Sequence, residues 1–220
     1  MNSLKIQLET YANLTQEALE RFLPDNGNED TVTSAMRYSL LGGGKRLRAA
    51  LALAFCNALG GEQDDAIVFA CALEMVHAYS LIHDDLPCMD DDDMRRGRPS
   101  CHIAFGEPVA LLAGDGLLTK AFETLSYSQL PPAQIVQAVG ILAKAAGHLG
   151  MIGGQRLDLE NETITASIER VEQTNRLKTG ALISASVALG CIAAGADAKT
   201  RGSFETLSYS QLPPAQIVQA

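Results

Sequence analysis

Residues 64–98 constrain the fold of this chain more than any other stretch. From Ile67 to Ile82 the sequence is apolar nearly all round the helical period, and a helix apolar on every face is a buried one. Asp64 or Asp65 can cap its start, and the pattern predicts a helix over 64–86. At about 100° per residue its few polar members, Glu74, His77, Ser80 and Asp84, fall within an arc of roughly 120°. Burying such groups without partners is costly, most of all for carboxylates. The stripe must therefore line a cavity or meet cations.

The helix runs into DDLPCMDDDDMRRGR, with six aspartates between Asp84 and Asp93 followed by Arg95, Arg96 and Arg98. Crowded carboxylates repel one another unless a cation sits among them. Oxygen-only ligation suits Mg²⁺, which takes one or two carboxylates, keeps waters and completes its shell with substrate phosphates. Asp84 and Asp90 would point about 240° apart on a straight helix, but Pro87 forbids a straight helix here. A break at Leu86–Met89 folds Asp90 back beside Asp84, and that pair is the predicted metal-ligand set. Asp85, about 100° round from Asp84, is placed as a support for the ligands. An acidic run is usually a solvated loop balanced by its own arginines. Its position at the end of a buried helix with a polar stripe argues against that here.

The rest of the chain reads as all-α. Alanine and leucine dominate, aromatics make up 5%, and tryptophan is absent. Leu4, Leu8, Tyr11, Leu14, Ala18 and Phe22 recur at helical spacing over 4–23, and Pro24 to Asn28 reads as a turn. A second helix passes through Val32, Met36 and Leu40 and stops at Gly42-Gly43-Gly44. Further helical patterns occupy 47–59, 109–128, 133–149, 166–178 and 181–195, punctuated by Gly60-Gly61, Pro99, Gly106, Pro131-Pro132 and Gly153-Gly154. No alternating strand pattern of useful length is present.

A net charge of −9 leaves no broad basic face for nucleic acid. Five cysteines, widely spaced and without a CxxC pair, read as free thiols of a reducing cytosol. No secretory signal is visible at the N-terminus. The longest low-polarity stretch, Ala181 to Ala196, contains Ser184 and Ser186 and falls short of a membrane span, so no membrane span is expected. FETLSYSQLPPAQIVQA stands at 122–138 and again, letter for letter, at 204–220. Solenoids need several imperfect repeats in tandem. Zero divergence points instead to an artefact, leaving 1–203 as a single helical domain.

Gly42-Gly43-Gly44-Lys45-Arg46-Leu47-Arg48 sets flexible backbone and three cations at a helix start, where free N–H groups and the helix dipole favour anions. It lacks the GxxxxGK[ST] spacing of a nucleotide-binding loop. This segment, HAYSLIHDDLPCMD from His77 followed by RRGRP, LAGDG ending at Gly116, GGQRLD at 153–158 and Lys178-Thr179-Gly180 together resemble the trans-isoprenyl diphosphate synthases of the bacterial farnesyl/geranylgeranyl type. The resemblance covers roughly residues 30 to 200, with the motifs in the family's order.

It implies an isoprenoid-synthase-like helical bundle around a central cavity. It implies that Lys45, Arg48, His77 and Arg96 grip the diphosphate of isopentenyl diphosphate. Asp84 and Asp90 would hold Mg²⁺ against an allylic diphosphate, with Arg95 as their charge partner. Lys178 and Thr179 would be further allylic-site contacts, Gln155 would stabilise positive charge, and Asp158 would support a lysine or a metal-bound water. Tyr79, beside Ser80, lies about 7.5 Å down the helix from Asp84 and would floor the product pocket. A bulky floor favours farnesyl diphosphate over the alternative, geranylgeranyl diphosphate. The implied protein is a cytoplasmic homodimeric prenyltransferase.

The chain departs from that family in one respect. After Asp158 the only aspartate is Asp197, so the second aspartate-rich motif is missing. The C-terminal third is thus expected to be absent and the chain to turn over slowly or not at all. A non-catalytic subunit of a heteromeric synthase is a further alternative, opposed by the intact first aspartate motif. A terpene cyclase is opposed by the second anion site.

Overall fold

A computed structural model describes residues 3–25, 27 and 30–210, with side chains described for 4–25, 27 and 30–204. Met1 and Asn2 of the N-terminal stretch in which no secretory signal is visible, Asn26 and Asn28 of the turn expected at Pro24–Asn28, and residues 211–220 of the second 17-residue copy lie outside the described residues. The elements are α1 Ser3–Phe22, α2 Thr31–Leu40, α3 Leu47–Ala58, α4 Gln63–Asp84, β1 Met94–Arg95, β2 Arg98–Pro99, α5 Cys101–Phe105, α6 Glu107–Leu125, α7 Pro132–Ala146, α8 Met151–Asn161, α9 Ile168–Asn175, a π-turn Arg176–Gly180, α10 Ala181–Ala193 and α11 Ala198–Ser210. They form two compact units, one of residues 1–50 and 67–128, the other of 51–66 and 129–220.

In the first unit α4 is the core element. Phe69, Leu73, Met75, Val76 and Ile82 are fully or almost fully buried, as its apolar circumference requires. Helix α2 begins at Asp30, whose carboxylate accepts from Val32 N–H at 3.1 Å, and packs its Ala35, Met36 and Leu40 face inward. It lies on α5 and α6. Within α6 a Cβ at Gly114 would overlap the His83 ring, so glycine is what lets α6 approach α4 there.

The polar stripe of α4 meets its cation at Glu74. Arg46 and Glu74 pair at 3.4 Å with both side chains only 3% exposed. Glu74 also accepts from Ala49 N–H at 3.2 Å, and Arg46 donates to Gln16 at 2.8 Å and to the Leu40 carbonyl at 2.7 Å. Arg46 holds a φ of 48°, a left-handed conformation that these bonds compensate. The sequence expectation grouped Lys45, Arg46 and Arg48 as three cations of one anion site. Arg46 is instead consumed inside the core, leaving Lys45 and Arg48.

In the second unit α10 is buried from Ser184 to Ala193 and packs on α7 and α11. A Cβ at Gly190 would collide with the Ala52 carbonyl, so the α3 and α10 backbones touch there. Phe55 meets Phe204 edge-on at 5.4 Å.

Three local expectations are corrected. Gly153-Gly154 does not break the chain but sits inside α8, where both residues are buried. Residues 168–193 run through the π-turn without the break placed between 178 and 181. A two-stranded ribbon, Met94↔Pro99 and Arg95↔Arg98, forms where no strand was expected, turning at Arg96 and Gly97 with φ of 53° and 74°.

The expectation of no membrane span rested on Ala181–Ala196 alone. By length and composition Gln63–Asp84, Pro132–Asn161 and Ile168–Ala193 would each suffice to cross a membrane. The first and third are 72% and 61% buried within the protein, as core helices are, and the second is 28% buried.

The Arg46–Glu74 pair yields a prediction. Glu74→Ala leaves a buried guanidinium without its counter-charge and is expected to cost about 3–5 kcal/mol in urea unfolding. A loss below about 1 kcal/mol would show that Arg46 finds water instead.

Candidate functional site

Helix α4 stops at Asp84 because Pro87 cannot donate, and the chain then winds back on itself. Leu86 N–H donates to His83 at 3.2 Å, Met89 N–H to Leu86 at 2.8 Å, and Asp90 N–H to the Asp84 carbonyl at 2.8 Å. Asp91 then takes a φ of 52°. The backbones of Asp84 and Asp90 are therefore hydrogen-bonded neighbours despite their separation in sequence. Asp84 is half-buried, and Asp90, Asp91, Asp92 and Asp93 are exposed.

Asp85 faces inward at 2% exposure. Arg95 closes over it, with Nε at 3.0 and 3.2 Å from its two oxygens and Nη2 bonded as well, and reaches Asp92 at 3.2 Å. These carboxylates hold the Arg95 guanidinium above its ordinary range, the Asp85 hydrogen bond foremost. Arg95 is thus tied to Asp85 and Asp92. Arg95 was expected as the charge partner of the Asp84 and Asp90 motif; its hydrogen bonds go to Asp85 and Asp92, and Asp84 acts on it through space. Among the described residues no group of three His, Cys, Asp or Glu is gathered as a metal site.

Next to the Asp85–Arg95 pair, in the same unit, lies a surplus of positive charge. Arg48 is largely buried, and its Nε has no partner. Burial lowers its proton affinity first, and Arg96 lowers it further. His77 is held well below the usual histidine range by burial and then by Arg48, Arg96, Arg46 and Arg95. It is therefore a neutral imidazole among guanidiniums. Arg96 donates to the Gly43 carbonyl, and Lys45 is exposed at the loop's edge. A cavity of about 40 Å³ is lined by His77, Asp85, Arg95, Arg96 and the Arg46–Glu74 pair among others. An unpartnered buried donor beside mutually repelling cations is an arrangement that can accept an anion.

Tyr79 is buried at 5% exposure, edge-on to His83 at 5.7 Å. Its hydroxyl has no partner, and burial with Asp84 nearby pushes it up to about 12. Ser80 spends its hydroxyl on the His77 carbonyl at 2.9 Å. Sequence reasoning missed His83, whose Nε2 lies 3.1 Å from the Leu111 carbonyl and 3.9 Å from Asp115. The available signal was the Gly114-Asp115-Gly116 run, which now has a packing reason.

The second unit carries its own cluster. Lys178 Nζ is 2.6 Å from Asp158 Oδ2, so Asp158 supports a lysine as the sequence reading allowed. Lys178 and half-buried Thr179 ride on the π-turn, where one extra residue is inserted into the helix. A Cβ at Gly154 would collide with the Lys178 main-chain nitrogen. Gly154 stands one turn before Asp158, so the close approach sets the ion pair. Gln155 Nε2 is buried without a partner.

Two outcomes follow from this geometry. Gly154→Ala is expected to destabilise the protein by about 1–3 kcal/mol, since backbone rather than a flexible side chain must give way. Unchanged urea unfolding would overturn the contact. For His77 the unfolded chain titrates near 6.5 and the folded protein well below it, so the folded state binds fewer protons between those values. Its contribution leaves stability intact above the unfolded value. As pH falls below about 6.5 it removes about 1.4 kcal/mol per unit. His77→Gln should flatten the decline between pH 7 and 5.5, and equal slopes in parent and variant would contradict this.

The chain matches the polyprenyl synthetase family over residues 29–210. It is 43% identical to the farnesyl diphosphate synthase of Geobacillus stearothermophilus, covering 89% of this chain and 68% of that protein. It is 46% identical to the farnesyl diphosphate synthase of Escherichia coli over 86% of this chain and 64% of that one. A heterodimeric geranylgeranyl pyrophosphate synthase large subunit of Arabidopsis thaliana is 48% identical, over 84% of this chain and 52% of the relative. This chain therefore spans about half to two thirds of the length of these relatives. A solved FPP/GFPP synthase from Zymomonas mobilis superposes with a TM-score of 0.89 at 37% identity, covering 94% of this chain and 76% of that one. On fold, motif and sequence together, the chain belongs to the polyprenyl synthetase family.

Proposed function

We propose that the protein joins an allylic diphosphate, dimethylallyl or geranyl, to isopentenyl diphosphate, giving farnesyl diphosphate with the help of Mg²⁺. The observation that carries this reading is the anion site assembled in the first unit. Arg48 keeps a buried Nε without a partner, His77 is held neutral, and Arg96 completes the cationic wall. Beside it runs the folded-back aspartate loop. One protein unit thus offers a cation cluster for one diphosphate and a carboxylate pair for a metal-bound second.

The donor set fits magnesium. Asp84 and Asp90 share a backbone hydrogen bond, and both carry oxygen ligands. Mg²⁺ prefers that arrangement, taking one or two carboxylates and completing its shell with phosphates. Bound there, it would neutralise charge developing on a leaving diphosphate. Asp85, already paired with Arg95, stays out of the ligand set and fixes the loop. Lys45, Arg48 and Arg96 hold isopentenyl diphosphate, and neutral His77 donates or accepts one hydrogen bond without adding charge. The allylic C–O bond ionises, the isopentenyl double bond attacks the cation, and the departing diphosphate takes the proton lost.

In the second unit Lys178 and Thr179 are proposed as phosphate donors, with Asp158 holding Lys178. Gln155 is proposed to stabilise cationic charge through its carbonyl oxygen. A cytoplasmic location is proposed, and a homodimer is proposed on the exposed Leu111 and Leu112 of α6. Geranylgeranyl diphosphate is the second reading, favoured by the likeness to the Arabidopsis geranylgeranyl pyrophosphate synthase subunit. Buried Tyr79, five residues before Asp84, supports the shorter product.

The test incubates the chain with Mg²⁺, geranyl diphosphate and labelled isopentenyl diphosphate. The expected result is Mg²⁺-dependent binding of geranyl diphosphate, weakened about a hundredfold by Asp84→Ala, with any label incorporated appearing in farnesyl diphosphate. Binding indifferent to both Mg²⁺ and Asp84→Ala would overturn the assignment.

A further inference from the structure

The hairpin that carries Arg96 is held by two residues with no part in the reading above, Tyr38 and Arg98. A ribbon of two residues per strand has no stability of its own, so whatever it docks on decides where it lies. The Arg98 guanidinium sits 4.1 Å from the Tyr38 ring centroid. The Tyr38 hydroxyl donates to the Pro99 carbonyl at 2.8 Å, on the next residue of the same strand. Phe105 braces Tyr38 edge-on at 5.3 Å. Arg98 Nη1 would lie 3.1 Å from a Cβ on Gly42, so it rests against a bare glycine.

At the turn the Arg96 guanidinium lies over Gly44, whose Cβ would stand 2.8 Å from its central carbon, and donates to the Gly43 carbonyl. The neighbouring Arg95 is tied to Asp85 and Asp92. The hairpin is therefore fixed at one strand to the aspartate loop and at the other to α2 and the glycine loop. Arg96 stands between these anchors.

We propose that Tyr38 and Arg98 are positioning residues that latch the 94–99 hairpin onto the glycine loop and so hold Arg96 ready for the diphosphate of isopentenyl diphosphate. The proposal rests on the anion-site reading of Lys45, Arg48, His77 and Arg96. Its physical content is preorganisation. An arginine pinned before the ligand arrives has already lost its rotamer freedom, and a binding-competent pose that is mostly populated weakens affinity little. Tyr38 is the sharper probe because removing its hydroxyl leaves the ring, and hence the cation–π contact, in place.

The experiment titrates isopentenyl diphosphate into the parent chain, Arg48→Gln, Tyr38→Phe, Arg98→Ala, Arg96→Gln and the Tyr38→Phe/Arg96→Gln double variant, with thermal unfolding measured for each. Tyr38→Phe is expected to weaken binding about fivefold and Arg98→Ala about tenfold. In the Arg96→Gln background Tyr38→Phe should cost nothing further, because the latch acts only through Arg96. A plain structural role would give the same loss in both backgrounds, following the drop in Tm, and would sink the latch while Arg48→Gln still abolishes binding. No binding by the parent, or none of it dependent on Arg48, would overturn the anion site and the latch together.

Discussion

The first unit is organised by two carboxylates that α4 cannot bury alone. Glu74 lies in the middle of the helix and Asp85 just past its end, and each is almost sealed from solvent. Each recruits a guanidinium from a loop, Arg46 from the glycine loop and Arg95 from the hairpin. An isolated buried charge costs far more than a paired one, so neither loop can leave without a large penalty. The pairs add little net stability by this argument, but they fix where two loops lie. Among the described residues no carboxylate hydrogen-bonds to Arg48 or Arg96, and Glu74 acts on both only through space.

Glycines carry the next level of organisation, and their motif positions share one cause. The bare face of Gly114 admits His83, that of Gly44 admits the Arg96 guanidinium, and that of Gly154 admits the backbone of Lys178. In each case one motif's glycine makes room for another motif's functional side chain or backbone. The motifs are thus coupled in pairs by contact within each unit. Only at Gly44, with a φ of 128°, does conformational freedom add to the argument from space.

Local signals in the sequence were read well where neighbours in sequence decide the outcome. The circumference of α4 made it a buried helix, and Pro87 with the aspartates around it forced a fold-back that the backbone bond from Asp90 to Asp84 displays. Where partners come from far along the chain, residue type alone misled. Arg46 looked like its neighbours Lys45 and Arg48 but is consumed by Glu74, 28 positions away. Gly153-Gly154 carried the signature of a loop, yet α8 passes through it because the π-turn needs the space. The hairpin at 94–99 has too few alternating residues for any strand pattern to be visible.

By itself the sequence determined the all-α class, the buried helix with its polar stripe, and the chemistry that six aspartates and three arginines at its end can perform. Those follow from periodicity and from charge, which act between near neighbours. Tertiary structure decided which charges are spent and which remain. It paired Glu74 with Arg46 and Asp85 with Arg95, kept His77 neutral, and left Arg48 with an unpartnered donor. The reason is that burial and counter-charge are properties of the packed environment, and the same arginine is a structural ion or a ligand grip according to the carboxylate that folding brings to it.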